Sequence, residues 1–359
     1  MPRAYGLAGL LSMALLATTV AASEAAPLVL LGVRKISDRA PHSAFTDLIH
    51  YNGRFLCTFR ESQGHASAGG IVRVLASRDG EDWTSVAVLT HPELDLRDPK
   101  LGRMPDGRLL MSGGTARYAR DATGEDRKVE TRSFCSFSTD GETWSAPAVV
   151  TQPDPDQWIW RVTWHNGTGY GTAYRHLHYM RVLRTSDGRN FEDLGPPLIR
   201  EKAPSEATLR FAADGTVYCI VRREGERNAE QRFTRGAALF GVSQPPYDTW
   251  TWHDTGTYLG GPDFIQLPGG RWVVGARTRQ GPARMSLLEL DVTRGQFTLL
   301  LHLPSGGDCS YPGMVWHDGK LWVSYYSSHE GKGEIYLAQL ELRASTETPA
   351  PPAKKPRRK

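Results

Sequence analysis

Short runs of alternating or β-branched and aromatic residues recur along the chain, and each run follows a tight turn signal. They cover Arg54–Arg60, Arg108–Gly114, Thr168–Arg175, Thr216–Arg222, Arg271–Arg277 and Lys320–Tyr326. A hydrophobic period of two is typical of half-buried strands, whereas start and stop signals for helices are scarce. The pattern predicts an all-β protein built from many short strands.

The turn that precedes each run is an Asn, Asp or Gly followed by Gly, and it occurs six times. The turns are Asn52-Gly53, Asp106-Gly107, Asn166-Gly167, Asp214-Gly215, Gly269-Gly270 and Asp318-Gly319, with spacings of 54, 60, 48, 55 and 49 residues between the second glycines. One hairpin cannot bury its apolar face alone, but six hairpins arranged in a ring can. The repeat predicts a six-bladed β-propeller over residues 27–342.

A second repeated element lies out of phase with the first. It combines Ser or Thr, Asp, Gly and an aromatic residue in Ser77–Trp83, Ser138–Trp144 and Thr185–Phe191. The Asp and hydroxyl side chains suit turns because they accept hydrogen bonds from nearby backbone amides. These segments resemble the Asp-box turns (BNR-type repeats) of the sialidase (neuraminidase) superfamily, and the resemblance spans about Pro27 to Leu342. It implies a sialidase-like fold more strongly than an activity.

The chain ends carry different signals. Arg3, an apolar run from Leu7 to Val20, and the small residues Ala21 and Ala22 predict a signal peptide over residues 1–22, and hence a secreted or periplasmic protein. No later stretch is apolar enough to predict an integral membrane segment. The net charge of +4 comes from residues 344–359, a Pro-, Lys- and Arg-rich tail predicted to be disordered. We expect a monomer that binds a glycan and no nucleic acid.

The four cysteines predict buried thiols. Cys57 and Cys219 occupy matching positions of repeats on opposite sides of the ring, so they are not expected to bond. Cys135 and Cys309 are the alternative pair in an exported protein. The cysteine spacing fits no zinc or redox motif, and no nucleotide-binding glycine loop is present, so no cofactor and no metal are predicted.

Charged residues recur at comparable positions of the repeats. Arg60, Arg222 and Arg277 each lie seven residues after the second glycine of a turn. Buried arginines are costly unless carboxylates pair with them, so they predict either an anionic ligand, which the sequence favours, or an internal ion-pair lattice. Upstream of the turns, the chain places Asp47, Arg97, Asp98, Arg161, Glu206, Asp263 and Tyr311. In a propeller, these positions converge on one mouth of the central channel.

The resemblance to sialidases assigns roles to some of these residues. Ser205–Thr208 and Val221-Arg222 are similar to the segments that carry the family's glutamate and second clamp arginine. Arg277, or less favourably Arg279, resembles the third arginine. The stretch Cys309–Gly313 resembles the nucleophile strand. The resemblance therefore implies retaining hydrolysis with Tyr311 as nucleophile and Glu206 as the group that draws its proton.

Two family features are missing. The stretch His42–Leu48 lacks the first clamp arginine; Arg60 resembles another arginine of the family in that blade, and Arg97 or Arg161 would have to take the lost role. The loop Glu61–Gly70 lacks the aspartate that serves as general acid in the family. The residues that can replace it are Asp98, His65, Glu61 and Asp47.

These features support one main functional hypothesis and two alternatives. The main hypothesis is an exported glycosidase that removes a terminal sialic acid or a related acidic sugar, with Arg60, Arg97, Arg161, Arg222, Arg277, Asp47 and Asp263 binding substrate. The first alternative is a noncatalytic glycan-binding propeller that has lost its general acid. The second is a hydrolase or lyase acting on a neutral polysaccharide, in which the arginines pair with Asp98 and Asp263.

Overall fold

The computed structural model describes residues 26–121, 124 and 126–343. The predicted signal peptide and the predicted tail lie outside the described residues. Within them, regular secondary structure consists of β-strands without helices. The prediction of an all-β chain is confirmed.

The strands form six four-stranded sheets, which we number as blades 1 to 6 in chain order. Blade 1 contains β2 (His42–Tyr51), β3 (Arg54–Ser62), β4 (Ile71–Ser77) and β5 (Thr84–Leu89), and blade 2 contains β6 (Asp95–Arg103), β7 (Leu109–Arg120), β8 (Asp126–Ser138) and β9 (Ala148–Val149). Blade 3 contains β10 (Trp158–His165), β11 (Thr168–Arg175), β12 (Tyr179–Thr185) and β13 (Glu192–Asp193), and blade 4 contains β14 (Pro204–Phe211), β15 (Val217–Arg223), β16 (Leu239–Ser243) and β17 (Trp250–Asp254).

Blade 5 contains β18 (Gly260–Gln266), β19 (Trp272–Thr278), β20 (Arg284–Asp291) and β21 (Gln296–His302). Blade 6 combines β22 (Cys309–His317), β23 (Lys320–Ser327) and β24 (Glu334–Leu342) with β1 (Leu28–Ser37), its outermost strand. The pairing of β1 with β24 begins at Leu28 and Leu342, so the two ends of the described chain close the ring together. The first strand of each blade contacts the first strands of both neighbouring blades, which places all six around one central channel. The predicted six-bladed β-propeller is confirmed.

The six predicted turns all connect the first and second strands of their blades. Both residues of Asn52-Gly53, Asn166-Gly167 and Asp318-Gly319 have positive φ angles, from 46° to 82°. Two consecutive positive φ angles are typical of the type I′ turn, whose twist matches that of the strands it joins. This is why Asn-Gly and Asp-Gly pairs mark the repeat in the sequence.

The second repeated element joins the third and fourth strands of blades 1 to 3. In its first copy, the Asp79 carboxylate accepts hydrogen bonds from the backbone N–H groups of Glu81 and Asp82, at 2.8 and 3.1 Å. The glycine of each copy packs against the preceding blade: a Cβ atom on Gly80 would overlap the Trp322 ring. The element therefore connects neighbouring blades as well as strands, which is a structural role.

All four cysteines are buried and free, so the prediction of buried thiols is confirmed. Among the described residues, no helix has the length and apolar character that crossing a membrane would require.

Candidate active site

The first strand of every blade contains a β-bulge near its start. The bulges of five blades contain Phe45, Asp98, Trp160, Glu206 and Tyr311. A bulge leaves one residue outside the ladder and aims its side chain away from the sheet, and such bulges are common next to active sites. The repeat thus collects chemically different side chains at one end of the channel.

Tyr311 and Glu206 form a short hydrogen bond across the ring, between blades 6 and 4. The phenol donates to Oε1 of Glu206 at 2.6 Å. Nη1 of Arg222 donates to both carboxylate oxygens of Glu206, at 2.9 and 2.6 Å, and to the Tyr311 oxygen at 3.1 Å. Burial raises the pKa of Tyr311 well above its usual range, and the charge of Glu206 adds to this effect. Tyr311 is therefore a neutral phenol at pH 7, hydrogen-bonded to an acceptor for its proton.

The backbone around Tyr311 is held in an uncommon conformation. Tyr311 has a φ of 51°, and its carbonyl accepts a hydrogen bond of 2.7 Å from the Thr46 hydroxyl. A bulky residue at positive φ persists only where surrounding contacts compensate, and such residues cluster at functional sites. Gly261 supports this position because a Cβ atom there would lie 2.7 Å from the ring of Tyr311. The rings of Phe45 and Trp160 flank the tyrosine, with centroids 5.2 and 5.3 Å away.

Asp98 occupies the bulge of blade 2, with a φ of 52° and 8% of its surface exposed. Burial raises its pKa to about 6, because the charges of Arg97 and Lys100 only partly offset the loss of solvation and Glu206 opposes ionisation. Its Oδ1 atom has no hydrogen-bond partner among the described residues. Asp98 is therefore a carboxyl group that is partly protonated near neutral pH.

These side chains line one cavity of about 280 Å³ at this end of the channel. Three charged side chains, which sequence reasoning did not select, also face it: Lys128, Asp156 and Glu224. Its lining includes Phe45, His65, Arg97, Asp98, Lys128, Asp156, Trp158, Tyr174, His176, Glu206, Arg222, Glu224 and Tyr311. The cavity mixes aromatic surfaces with carboxyl and basic groups, as sugar-sized ligands require.

The guanidinium groups of the cavity already have protein partners. Nη2 of Arg222 donates to Glu224 at 3.1 Å, in addition to the bonds from Nη1 to Glu206. Arg97 donates to Asp95 from Nε, at 2.7 Å, and from Nη2. Bidentate recognition of a carboxylate needs two adjacent N–H groups of one guanidinium. Both arginines use such groups on carboxylates of the protein itself.

Three of the predicted substrate-binding residues lie together in the channel, where they line a second cavity that does not include Tyr311. Arg161 donates to both oxygens of Asp47, at 2.9 and 3.0 Å, and to Asp263 at 3.2 Å. All three side chains are at most 6% exposed. They form a buried ion-pair network, the arrangement that the sequence offered as the alternative to ligand binding.

Arg60 and Arg277 also lie outside the lining of the cavity. Arg60 is fully buried and donates to Oδ1 of Asp95 at 2.7 Å. Arg277 donates to the carbonyl of Cys309 at 3.2 Å. Both pair with the residue that precedes a bulge, whereas Arg222 lies opposite a bulge. Equal spacing from the turns therefore does not give the three arginines one shared register, because the hairpins differ in length.

Only two of the four residues considered as general acids line the cavity. Asp98 and His65 line the cavity. Glu61 accepts two hydrogen bonds of 2.7 Å from Arg73, and Asp47 belongs to the ion-pair network. His65 is half-exposed and contacts Asp308, with 2.7 Å between Nδ1 and Oδ2.

Sequence reasoning missed Asp95, Glu224 and Asp308, which hold Arg97, Arg222 and His65. For two of them the signal was present. Asp95 precedes Arg97 by two residues and Glu224 follows Arg222 by two, so each pair shares one face of a strand. Asp308 gave no such signal because its partner is 243 residues away.

Comparison with known proteins supports the fold. No protein-family model matches the chain, and no curated protein matches it in sequence. Among solved structures, a Dyadobacter fermentans protein of unknown function matches with a TM-score of 0.75 and 20% identity, covering 88% of this chain and 99% of that one.

Two enzymes of known activity are also similar in structure. Trypanosoma rangeli sialidase, in complex with the inhibitor DANA, matches with a TM-score of 0.64 and 10% identity, covering 88% of this chain and 60% of that one. The GH93 α-L-arabinofuranosidase of Fusarium graminearum, in complex with arabinobiose, matches with a TM-score of 0.64 and 16% identity, covering 85% and 94%. At these identities, the likeness establishes the fold. The chain has a six-bladed β-propeller fold similar to that of these two glycoside hydrolases.

Proposed function

We propose that the chain is an exo-acting, retaining glycoside hydrolase in which Tyr311 is the nucleophile. The observation that carries this proposal is the 2.6 Å hydrogen bond from the Tyr311 phenol to Glu206, at the wall of a sugar-sized cavity. A buried phenol is a poor nucleophile unless a base accepts its proton as it attacks. Glu206 is placed to do this.

In the first step, the Tyr311 oxygen attacks the anomeric carbon while its proton passes to Glu206. The bond between the anomeric carbon and the glycosidic oxygen breaks, and that oxygen takes a proton from Asp98. In the second step, Asp98 removes a proton from water, the water oxygen attacks the anomeric carbon, and the tyrosine oxygen leaves with the proton from Glu206. Two displacements at one carbon retain the anomeric configuration.

Asp98 is the general acid that this proposal favours over His65. A catalytic acid works best when its pKa lies near the working pH, and burial raises the pKa of Asp98 to about 6. Asp98 lines the cavity, and its Oδ1 atom has no hydrogen-bond partner among the described residues. His65 remains the second choice because it lines the same cavity and is held by Asp308.

The sequence favours sialic acid or a related acidic sugar as the group removed. In that case Arg222, the clamp arginine that lines the cavity, would receive its carboxylate and would have to exchange its bonds to Glu224 for bonds to the sugar. Acidic sugars are therefore the first substrate class to be tested. Export of the protein also stays a prediction, because the segment that predicts it lies outside the described residues.

A neutral sugar is the second candidate, and the pairing of the arginines favours it. Arg222 and Arg97 each donate two N–H groups to protein carboxylates. These groups are therefore not free to bind the carboxylate of a sugar in a bidentate manner. The stretch that lacks the family's first arginine places Phe45 at the bulge, against Tyr311. An aromatic ring offers an apolar surface to the C–H face of a sugar rather than a charge to a carboxylate.

The test is the release of a fluorescent leaving group from aryl glycosides of several sugar acids and several neutral sugars. Wild type is compared with Tyr311→Phe and Glu206→Gln. Loss of a general base typically costs 10²- to 10⁴-fold in rate, so Glu206→Gln is expected to lose about that factor. Tyr311→Phe is expected to lose more, since no nucleophile remains.

Tyr325→Phe is the matched control. Tyr325 is also a buried tyrosine of blade 6, but its hydroxyl donates to the carbonyl of Pro304 at 2.8 Å and does not line the cavity. Its turnover should match that of wild type. Absence of turnover over the whole panel, with glycan binding retained, would favour the noncatalytic glycan-binding alternative instead.

A further inference from the structure

A cluster of two histidines and one aspartate lies at the rim of the cavity. His42 begins β2, His65 lies in the loop between β3 and β4, and Asp308 precedes β22. One ligand atom from each side chain lies within 4.8 Å of the others. The cluster joins blades 1 and 6 where the ring closes.

The distances within the cluster are compatible with one metal ion bound by all three side chains. Oδ2 of Asp308 lies 2.7 Å from Nδ1 of His65 and 3.5 Å from Nε2 of His42. Around a tetrahedral Zn²⁺ ion, with bonds of about 2.0 to 2.1 Å, ligand atoms lie roughly 3.3 Å apart. The separations in the cluster, from 2.7 Å to at most 4.8 Å, lie on both sides of this value.

His42 provides an independent observation. Its side chain is 12% exposed, and among the described residues Nδ1 has no hydrogen-bond partner, while Nε2 reaches only Oδ2 of Asp308, at 3.5 Å. A buried imidazole normally hydrogen-bonds through at least one nitrogen, because burying an unpaired polar atom costs free energy. A bound ion would satisfy this group.

The surroundings of Asp308 resemble those of a metal ligand in one respect and oppose metal binding in another. Its second oxygen, Oδ1, accepts a hydrogen bond of 2.7 Å from Tyr326, as outer-shell partners do when they orient a ligating carboxylate. Nη1 of Arg277 lies 3.6 Å from the same oxygen, and its positive charge lowers the affinity for a cation. Oδ2 faces the two histidines and is free of this arginine.

We propose that His42, His65 and Asp308 bind one divalent transition-metal ion of the zinc class. Imidazole ligands favour zinc and its transition-metal neighbours over Mg²⁺ and Ca²⁺, which prefer oxygen ligands. Three protein ligands leave a coordination position open, and His65 lines the cavity, so that position lies beside the proposed substrate site. No sequence motif indicates this site, because its ligands come from distant parts of the chain.

The experiment is titration calorimetry of chelator-treated protein with ZnCl₂, supported by the visible absorption spectrum of the Co²⁺ form. The expected result is one ion per chain. Loss of an outer-shell partner typically weakens metal binding 10- to 100-fold, so Tyr326→Phe should fall in that range and His65→Ala should exceed about 100-fold. His91→Ala, in the loop between β5 and β6, is the control and should bind like wild type.

His65 is half-exposed, so its replacement should leave the fold intact, and circular dichroism checks this. Asp308→Asn keeps the shape of the ligand and provides a second variant. The proposal is overturned if wild type binds no stoichiometric ion, or if His65→Ala and Asp308→Asn bind as tightly as His91→Ala. Neither result depends on glycosidase activity, so this proposal and the proposed function fail or stand separately.

Discussion

Asp98 allows a test of its environment by stability alone. Burial raises its pKa from an ordinary value of 3.8 to about 6. The folded state therefore binds the proton more tightly than the unfolded chain does. The stabilisation by this group is fully present below about pH 4 and is lost as the pH rises through 6.

The magnitude follows from the shift. One pKa unit corresponds to 1.36 kcal/mol, so a shift of about 2 units makes the ionised Asp98 cost about 3 kcal/mol at pH 8. Asp98→Asn cannot ionise and avoids this cost. We expect the free energy of unfolding of the variant, relative to wild type, to rise by about 3 kcal/mol between pH 4 and pH 8.

The assay is urea unfolding followed by tryptophan fluorescence at several pH values. Asp248→Asn, at an exposed carboxylate, controls for the substitution itself. A difference between Asp98→Asn and wild type that stays constant from pH 4 to pH 8 would show that ionisation of Asp98 does not destabilise the fold. Asp98→Asn should also lose turnover, because Asp98 is proposed to supply the proton. One residue would then both supply that proton and destabilise the fold when it ionises.

Three further predictions concern the site and its supports. Gly261→Ala should reduce turnover of the aryl glycoside that wild type hydrolyses, because the added Cβ atom would contact the Tyr311 ring. Gly256→Ala is the control and should not reduce turnover, because Gly256 also has a positive φ but faces open space. Arg161→Ala removes the arginine partner of the buried Asp47, whereas Asp263 keeps Arg210, and should lower the free energy of unfolding by about 3 to 5 kcal/mol in urea titrations. In wild type, kcat should fall above about pH 6 as Asp98 ionises, and a profile flat to pH 8 would contradict its role.

The sequence was sufficient to predict the architecture because the fold repeats. The Asn-Gly and Asp-Gly turns recur at blade-sized spacings, and each indeed joins the first two strands of a blade. Only the closing strand β1 gave no signal of its pairing with β24, because that contact joins opposite ends of the chain.

The site was only partly predictable, because bulges and cross-blade contacts decide it. Spacing from the turns placed Arg60 and Arg222 at one register, but one faces Asp95 in the next blade and the other faces Glu206. The turn before Arg60 is shorter than the turn before Arg222, so the same spacing from the glycine reaches different pairs of the ladder. The contact between His65 and Asp308 is likewise invisible until the ring is closed.

The proposed nucleophile can be tested most directly by trapping the covalent intermediate. Wild type and Tyr311→Phe are incubated with an activated fluorinated glycoside of the sugar that the aryl panel identifies, then digested and analysed by mass spectrometry. We expect one glycosyl unit on the peptide that contains Tyr311 and none on the same peptide of the variant. A glycosyl unit on Glu206 or Asp98, or turnover with inversion of the anomeric configuration, would contradict it.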